Sequence, residues 1–253
     1  MAIFYDFSGG MESTAMLVLE RERILDTGAV ARMADTGKQF PEMGLHFRQV
    51  EHRLGIQIVT PPRRITFDEF LFERGGMIRK GTIDCSKRMK RSNLSRHMKS
   101  FPPPYEVNVG FNLDEEERDN RATAFSERNE KPWLHWRYPL IERGIRRAQT
   151  RKICLDAGLS VVVEMYDKMG RFDCFFCGNQ KPSQALKVYD HYPELAREWM
   201  VAEERKGHSF LPVPLKVLVE NRDRQGTLAL FEGTSQCACF GGNEDVTEDC
   251  AEG

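Results

Sequence analysis

The chain has 253 residues, 40% hydrophobic and 30% charged, with a formal net charge of −1. That composition excludes a disordered chain and leaves enough apolar material for a sizeable core. Near-neutrality excludes a global field that would recruit a polyanion, so any anion site must be local. The longest apolar run, LSVVVEM, is too short to cross a bilayer. The first residues lack the basic start, apolar stretch and small-residue cleavage site of a secretory signal, so a cytoplasmic location without a membrane partner is expected.

AIFYDF is short, apolar and aromatic and predicts a buried strand. STAMLVLERERIL follows at helical spacing, which makes residues 8–13 a strand-to-helix junction. AVARMADTG repeats the logic, a strand closing on Asp35, Thr36 and Gly37. FPEMGLHFRQVEHRLG predicts a helix with Pro41 near its start and Gly55 past its end. IQIVTPP predicts a third strand stopped by prolines, TFDEFLFERGG and CSKRMKRSNLSRHMKS predict helices, and YEVNVGF a fourth strand. This alternation predicts an α/β fold, a parallel sheet with helices on both faces. LDEEERDNRATAFSERNEKP is charged and loop-like, and GIRRAQTRKICLDAGL predicts a helix ending at Gly158. SVVVEMYDKMGRFDCFFCGNQ predicts an extended segment, then a turn at 168–170 and a C-x-x-C. KPSQALKVYDHYPELAREWMVAEERKG predicts two helices broken at Pro193, and the chain from about Asn221 is polar and Gly-rich.

Chemistry concentrates first in SGGMES. A glycine-rich turn between a strand and a helix lets backbone N–H groups close on an anion at the positive end of the helix. Ser8 and Ser13 add hydroxyl donors, and Gly9 and Gly10 remove side chains that would block approach. The spacing and lysine of a Walker loop are absent. The alternative is an ordinary strand–helix turn.

SGGMES resembles the S-G-G-x-D-S pyrophosphate loop of the PP-loop ATP pyrophosphatases. ADTGKQFPEMGLHFRQVEHRLG is similar to the second motif of the branch that holds phosphoadenylylsulfate (PAPS) reductases and ATP sulfurylase small subunits. GFNLDEEER resembles that branch's later acidic–basic loop, and CSKRMK its cysteine-plus-basic segment. RFDCFFC with YPELAREW resembles PAPS-reductase-like and DNA-phosphorothioation sulfurtransferase proteins. The resemblance spans residues 3–204 in the expected order.

It implies an adenine-nucleotide α-hydrolase-like fold over residues 1–158, then a helical, cysteine-bearing part at 159–242 and an acidic tail at 243–253. It further implies that Ser8, Gly9, Gly10 and Ser13 bind the phosphates of ATP and that Asp35, Thr36 and Gly37 line the adenosine. Glu12, Asp114, Glu115 and Arg118 (or Arg121) would act on metal and substrate, with Mg²⁺ on the phosphates. Glu12 replaces the family's usual aspartate, which moves its carboxylate outward by one methylene. The E-C-G-x-H tail of dedicated reductases is absent. The intact loop and the missing tail favour ATP α–β cleavage with sulfur transfer over PAPS reduction. A non-catalytic nucleotide- or redox-sensing module is a third reading.

Seven cysteines, an odd number, argue against a disulfide framework. Cys154, inside an apolar helical pattern, reads as core. Cys174 and Cys177 have a spacing that lets their thiolates reach one metal, with Cys85 joining from another segment. Cys239 (or Cys237 or Cys250) would be the fourth ligand. A [4Fe–4S] cluster fits the resemblance, Zn²⁺ fits the bare spacing, and a redox dithiol leaves Cys85 unexplained. Basic residues crowd at 79–99 and 143–152. They read either as solvated faces or as phosphate contacts to a nucleic-acid acceptor such as tRNA or DNA, the alternative acceptor being a small molecule. In WLHWRYPL the aromatic residues are expected to pack a core more than to stack on a base.

Overall fold

A computed structural model describes residues 1–82, 84–115 and 131–225. Its centre is a five-stranded parallel sheet in the order β3-β2-β1-β4-β5, formed by β1 (Ala2–Asp6), β2 (Val30–Arg32), β3 (Ile58–Val59), β4 (Tyr105–Val109) and β5 (Leu134–Arg137). Strand alternation sends Phe4 and its β4 partner Val107 to one face, where they pack with Met98 and Phe101. Tyr5 and Ala31 point to the other face, into the larger core. On that side lie α1 (Met11–Leu19), α2 (Arg21–Thr27) and α3 (Glu42–Leu54), whereas α4 (Ser92–Met98) covers the Phe4 face. The expected α/β fold with helices on both faces is therefore present.

The chain winds outward from β1 through β2 to β3, then crosses back to β4 beside β1. The strand order thus reverses between β1 and β4. In open parallel sheets the crevice beyond the strand ends at such a reversal is where ligands bind. Here the 8–13 loop and Gly110 meet at that crevice.

After a short turn at α5 (Pro139–Glu142), the chain forms α6 (Arg147–Asp156), α7 (Ser160–Met169), α8 (Pro182–His191), α9 (Pro193–Lys206) and α10 (Leu215–Gln225). The extended segment expected around SVVVEM is a helix, α7. Val161, Val162, Val163, Met165 and Met169 are all buried there, and tertiary burial outweighs the modest helix cost of β-branched residues. LHWR, which carried no strand expectation, pairs with β4 as the edge strand β5. Trp136 on it is 40% exposed, so it does not pack the core as expected. Among the described residues no helix is long and apolar enough to cross a membrane.

Candidate functional site

The 8–13 loop holds itself open by its own hydrogen bonds. Gly9 has φ +80°, and Met43 of α3 lies directly over it: a Cβ built there would stand 2.3 Å from Sδ. Ser13 Oγ donates to the Gly10 carbonyl at 3.0 Å, and the Ser8 amide and hydroxyl bond to Ser13 Oγ at 3.2 and 3.0 Å. The Gly10 amide points to Ser8 Oγ at 3.3 Å. Gly10 caps α1 without a side-chain hydrogen bond, so no capping side chain takes the first amides of the helix. Gly110, after β4, lies against α1: an added Cβ would be 2.8 Å from Ser13 Cα and 3.0 Å from its amide nitrogen.

Beneath the loop, Thr14 Oγ1 donates to the Gly10 carbonyl at 2.8 Å and lies 2.9 Å from His46 Nε2. His46 is fully buried between Phe7 and Phe172. Burial lowers its pKa to about 4, so the imidazole is neutral. Neither Thr14 nor His46 was singled out in the sequence, which carries no local signal for either.

Glu12, at the mouth, lies 3.4 Å from Arg147 Nε and accepts from the Tyr166 hydroxyl at 3.5 Å. Asp114, in a single turn at Leu113–Glu115, does not reach Glu12's neighbourhood as a free carboxylate. It accepts from Arg146 Nη1 at 2.7 Å and from the Arg147 amide at 2.9 Å, which tethers the start of α6. That amide and Arg146 hold the Asp114 carboxyl below its ordinary range. Glu115 sits on the same turn near Asn112, with Asn112 Nδ2 3.5 Å from its carboxylate. Arg118, Arg121, Cys237, Cys239 and Cys250 lie outside the described residues.

Asp35, Thr36 and Gly37 form a turn closed by Asp35 Oδ1 accepting from the Gly37 amide at 2.6 Å. Gly37, at φ +75°, admits Arg63 over it, and Arg63 Nε reaches Asp35 at 3.5 Å. The turn is joined to the C-x-x-C: Thr36 Oγ1 is 2.9 Å from Cys174 Sγ, Gln39 pairs with Cys174, and the Phe175 amide donates to Lys38 O at 3.0 Å. Phe175 and Phe176, the residues between the cysteines, are core anchors. Phe175 meets Phe40, and Phe176 meets Phe67, Trp199 and Phe210.

Cys85, Cys174 and Cys177 are free thiols. Burial, then the neighbouring Cys174, pushes Cys85 up to about 12. Cys174, with Asp173 and the other thiols, raises the Lys90 ammonium, which sits in the π-helical turn Ser86–Arg91. Burial opposes charge on Arg171, but Asp173 and Cys177 hold it protonated. Lys90 and Arg171 thus bring two cations beside these thiols. Among the described residues, no three His, Cys, Asp or Glu side chains are grouped to hold a metal ion. Cys154 is buried, with its thiol directed to the Met11 carbonyl at 3.6 Å, as its pattern indicated.

The motifs F-P-E and Y-P-E meet: Tyr192 donates to Glu42 at 2.5 Å, and its ring packs on Phe40 at 5.2 Å. The basic group at 143–152 is paired with acids. Arg143 bonds Glu20, Arg151 bonds Asp167 at 2.7 Å, and Lys152 bonds Asp156 at 2.6 Å.

A parallel sheet with its reversal at β1/β4 and a Ser-Gly-Gly turn at that point are the architecture of an adenine-nucleotide α-hydrolase-like fold. The chain belongs to the phosphoadenosine phosphosulfate reductase domain family, whose model matches residues 2–152. It is 24% identical over 214 residues to an uncharacterized protein of Methanocaldococcus jannaschii, which covers 82% of this chain and 49% of that protein. The chain thus spans about half the length of that relative. A PAPS reductase from Candida auris, solved as a phosphate complex, is similar at 15% identity and a TM-score of 0.41, covering 62% of this chain and 73% of that one.

Proposed function

We propose that this protein binds ATP with its phosphates on the 8–13 loop, cleaves it between the α and β phosphates to adenylylate an acceptor, and supports sulfur transfer to the activated acceptor. The observation that carries the reading is the complete loop at the sheet's reversal point, its hydroxyls fixed and the first amides of α1 taken by no capping side chain. Those amides and the helix dipole stabilise negative charge that grows on the leaving pyrophosphate. An acceptor oxygen attacks the α-phosphorus in line. The bond to the bridging oxygen breaks, and pyrophosphate leaves with its electron pair. Arg147, beside Glu12 at the mouth, is the cation assigned to receive that charge. Asp35, Thr36 and Gly37 line the adenosine, and Asp114 orients Arg146 and the start of α6. Bound Mg²⁺ would neutralise phosphate charge. The thiols of Cys85, Cys174 and Cys177 would hold a [4Fe–4S] cluster or zinc, a cluster offering an iron site for sulfide.

Magnesium-dependent pyrophosphate release from ATP, assayed with nucleic-acid and small-molecule acceptors, tests the reading. Ser13→Ala is expected to lower the rate at least about tenfold, the scale of removing one positioned donor. A second reading, PAPS reduction, is favoured by Cys174 lying 2.9 Å from Thr36 of the adenosine-side turn. There a thiolate attacks the sulfur of PAPS, adenosine 3′,5′-bisphosphate leaves, and thioredoxin then releases sulfite. Thioredoxin-dependent sulfite without pyrophosphate release would select it.

A further inference from the structure

We propose that Tyr166, Glu12 and Arg147 form a displaceable plug on the 8–13 loop. An incoming polyphosphate takes the space over Gly10 from the Tyr166 hydroxyl and takes Arg147 from Glu12. The inference rests on reading the loop as a polyphosphate site.

Tyr166 projects from the middle of α7, and its hydroxyl reaches the start of α1 above Gly10. The same hydroxyl donates to Glu12 Oε2 at 3.5 Å. Gly10 lies directly beneath: a Cβ built on it would stand 3.2 Å from the phenol oxygen and 3.9 Å from Glu12 Oε2. The space that Gly10 leaves open above the helix start therefore contains a phenol oxygen and a carboxylate. A phenol oxygen and a carboxylate over a helix start stand where the oxygens of a bound phosphate would stand.

Glu12 continues the arrangement outward, with Oε1 3.4 Å from Arg147 Nε. Glu12 is 16% exposed and Arg147 64% exposed, so the carboxylate is held in the crevice while the guanidinium stands at its rim. An exposed pair at this distance is weak. A polyphosphate offers the same guanidinium several charged oxygens and bidentate geometry. The glutamate here, one methylene longer than an aspartate, gains the reach to touch both partners. Its negative charge then competes with the ligand until Arg147 is exchanged.

The test is calorimetric titration of the full chain with pyrophosphate and with ATP in buffer free of divalent cations. Glu12→Gln removes the competing charge and releases Arg147, and is expected to tighten pyrophosphate binding about tenfold. Tyr166→Phe keeps the ring but removes the hydroxyl from the space over Gly10, and is expected to tighten it about threefold. Arg147→Met is expected to weaken it about tenfold, with Arg147→Lys recovering most of the loss. In Glu12→Gln/Arg147→Met the gain from removing Glu12 shrinks, because there is no arginine left to release. Circular dichroism melts establish that each variant is folded. Wild-type binding accompanied by unchanged affinity in Glu12→Gln and Tyr166→Phe, or in Arg147→Met, overturns the plug while leaving the polyphosphate reading intact. No binding of pyrophosphate, ATP or adenosine 3′,5′-bisphosphate by the wild type or any variant, with or without Mg²⁺, overturns both.

Discussion

His46 shows how a single side chain can support the loop without touching a ligand. Thr14 spends its one hydroxyl hydrogen on the Gly10 carbonyl, so the 2.9 Å contact with His46 requires the imidazole to donate from Nε2. Nδ1 is then a bare acceptor, and it is buried without a hydrogen-bond partner. Protonating it would place a charge between Phe7 and Phe172, which is why its pKa falls to about 4 from an unfolded value near 6.5. Between those pH values the unfolded chain binds a proton that the folded chain does not. The contribution is therefore complete above pH 6.5 and is lost as pH falls toward 4, by about 3 kcal/mol in all. Thermal melts across that window should lose less stability in His46→Leu than in the wild type. Parallel melting curves for the two proteins would show that this histidine does not titrate as its surroundings dictate. The sequence offered no route to this residue. An isolated histidine in a helix carries no mark of what its ring will face.

At the scale of elements, glycines after strands set how closely loop and helix approach. Gly110 is the instructive one, because the atoms an added methyl would meet are backbone, Ser13 Cα at 2.8 Å and its nitrogen at 3.0 Å. Neither can swing aside as a side-chain tip would. Gly110→Ala should therefore push α1 away from β4, cost about 1–3 kcal/mol by overpacking and abolish polyphosphate binding. Gly28 is the control. It ends α2 at φ +63° with nothing within 4 Å of an added Cβ, so Gly28→Ala should cost about 1–2 kcal/mol of left-handed strain and leave binding unchanged. Denaturant titrations and pyrophosphate calorimetry on the two variants separate these outcomes. Farther along, Glu203 of α9 is buried and accepts from the amides of Phe210 at 2.7 Å and Leu215 at 2.9 Å, tying α9 to the start of α10. Glu203→Ala leaves both amides without their acceptor and should lower stability by about 2–4 kcal/mol in the same titrations. Much of this scale was legible in the sequence. Strand–helix alternation gave β1 to β4, Gly55 and Pro193 marked real helix boundaries, and SGGMES stood where a strand met a helix. What escaped was decided by long-range packing. The valines of α7 read as strand until the core that buries them is known, and β5 is held by its neighbour β4 rather than by its own alternation. The pairing of Asp114 with α6 and of Thr36 with Cys174 spans 33 and 138 positions, beyond what local pattern reports.

Across the whole molecule, the boundary near residue 158 separates sheet from helical region in sequence but not in packing. One continuous apolar core runs from Tyr5, Phe7 and Val50 through Val162, Met169 and Phe176 to Trp199 and Leu218. The seam is specific as well as apolar. Phe67 packs on Phe176 at 5.0 Å, the Val161 amide donates to Gln49 at 3.2 Å, and Tyr192 donates to Glu42. The turn at 35–37 is bonded to the cysteine segment along the same seam. A fragment of residues 1–158 would expose the Phe7, Phe40, Met43 and Val50 surfaces to water, a large contiguous apolar patch. It should fail to fold and should aggregate on expression, although it contains every described strand and all of the residues that the family model matches. The full chain should instead lose far-ultraviolet and near-ultraviolet circular dichroism in one coincident thermal transition, since both parts share one core. Two separated transitions, or a soluble and cooperatively folding 1–158 fragment, would show that the seam joins independent units. The contact between Thr36 and Cys174 would then join two units rather than lie within one core.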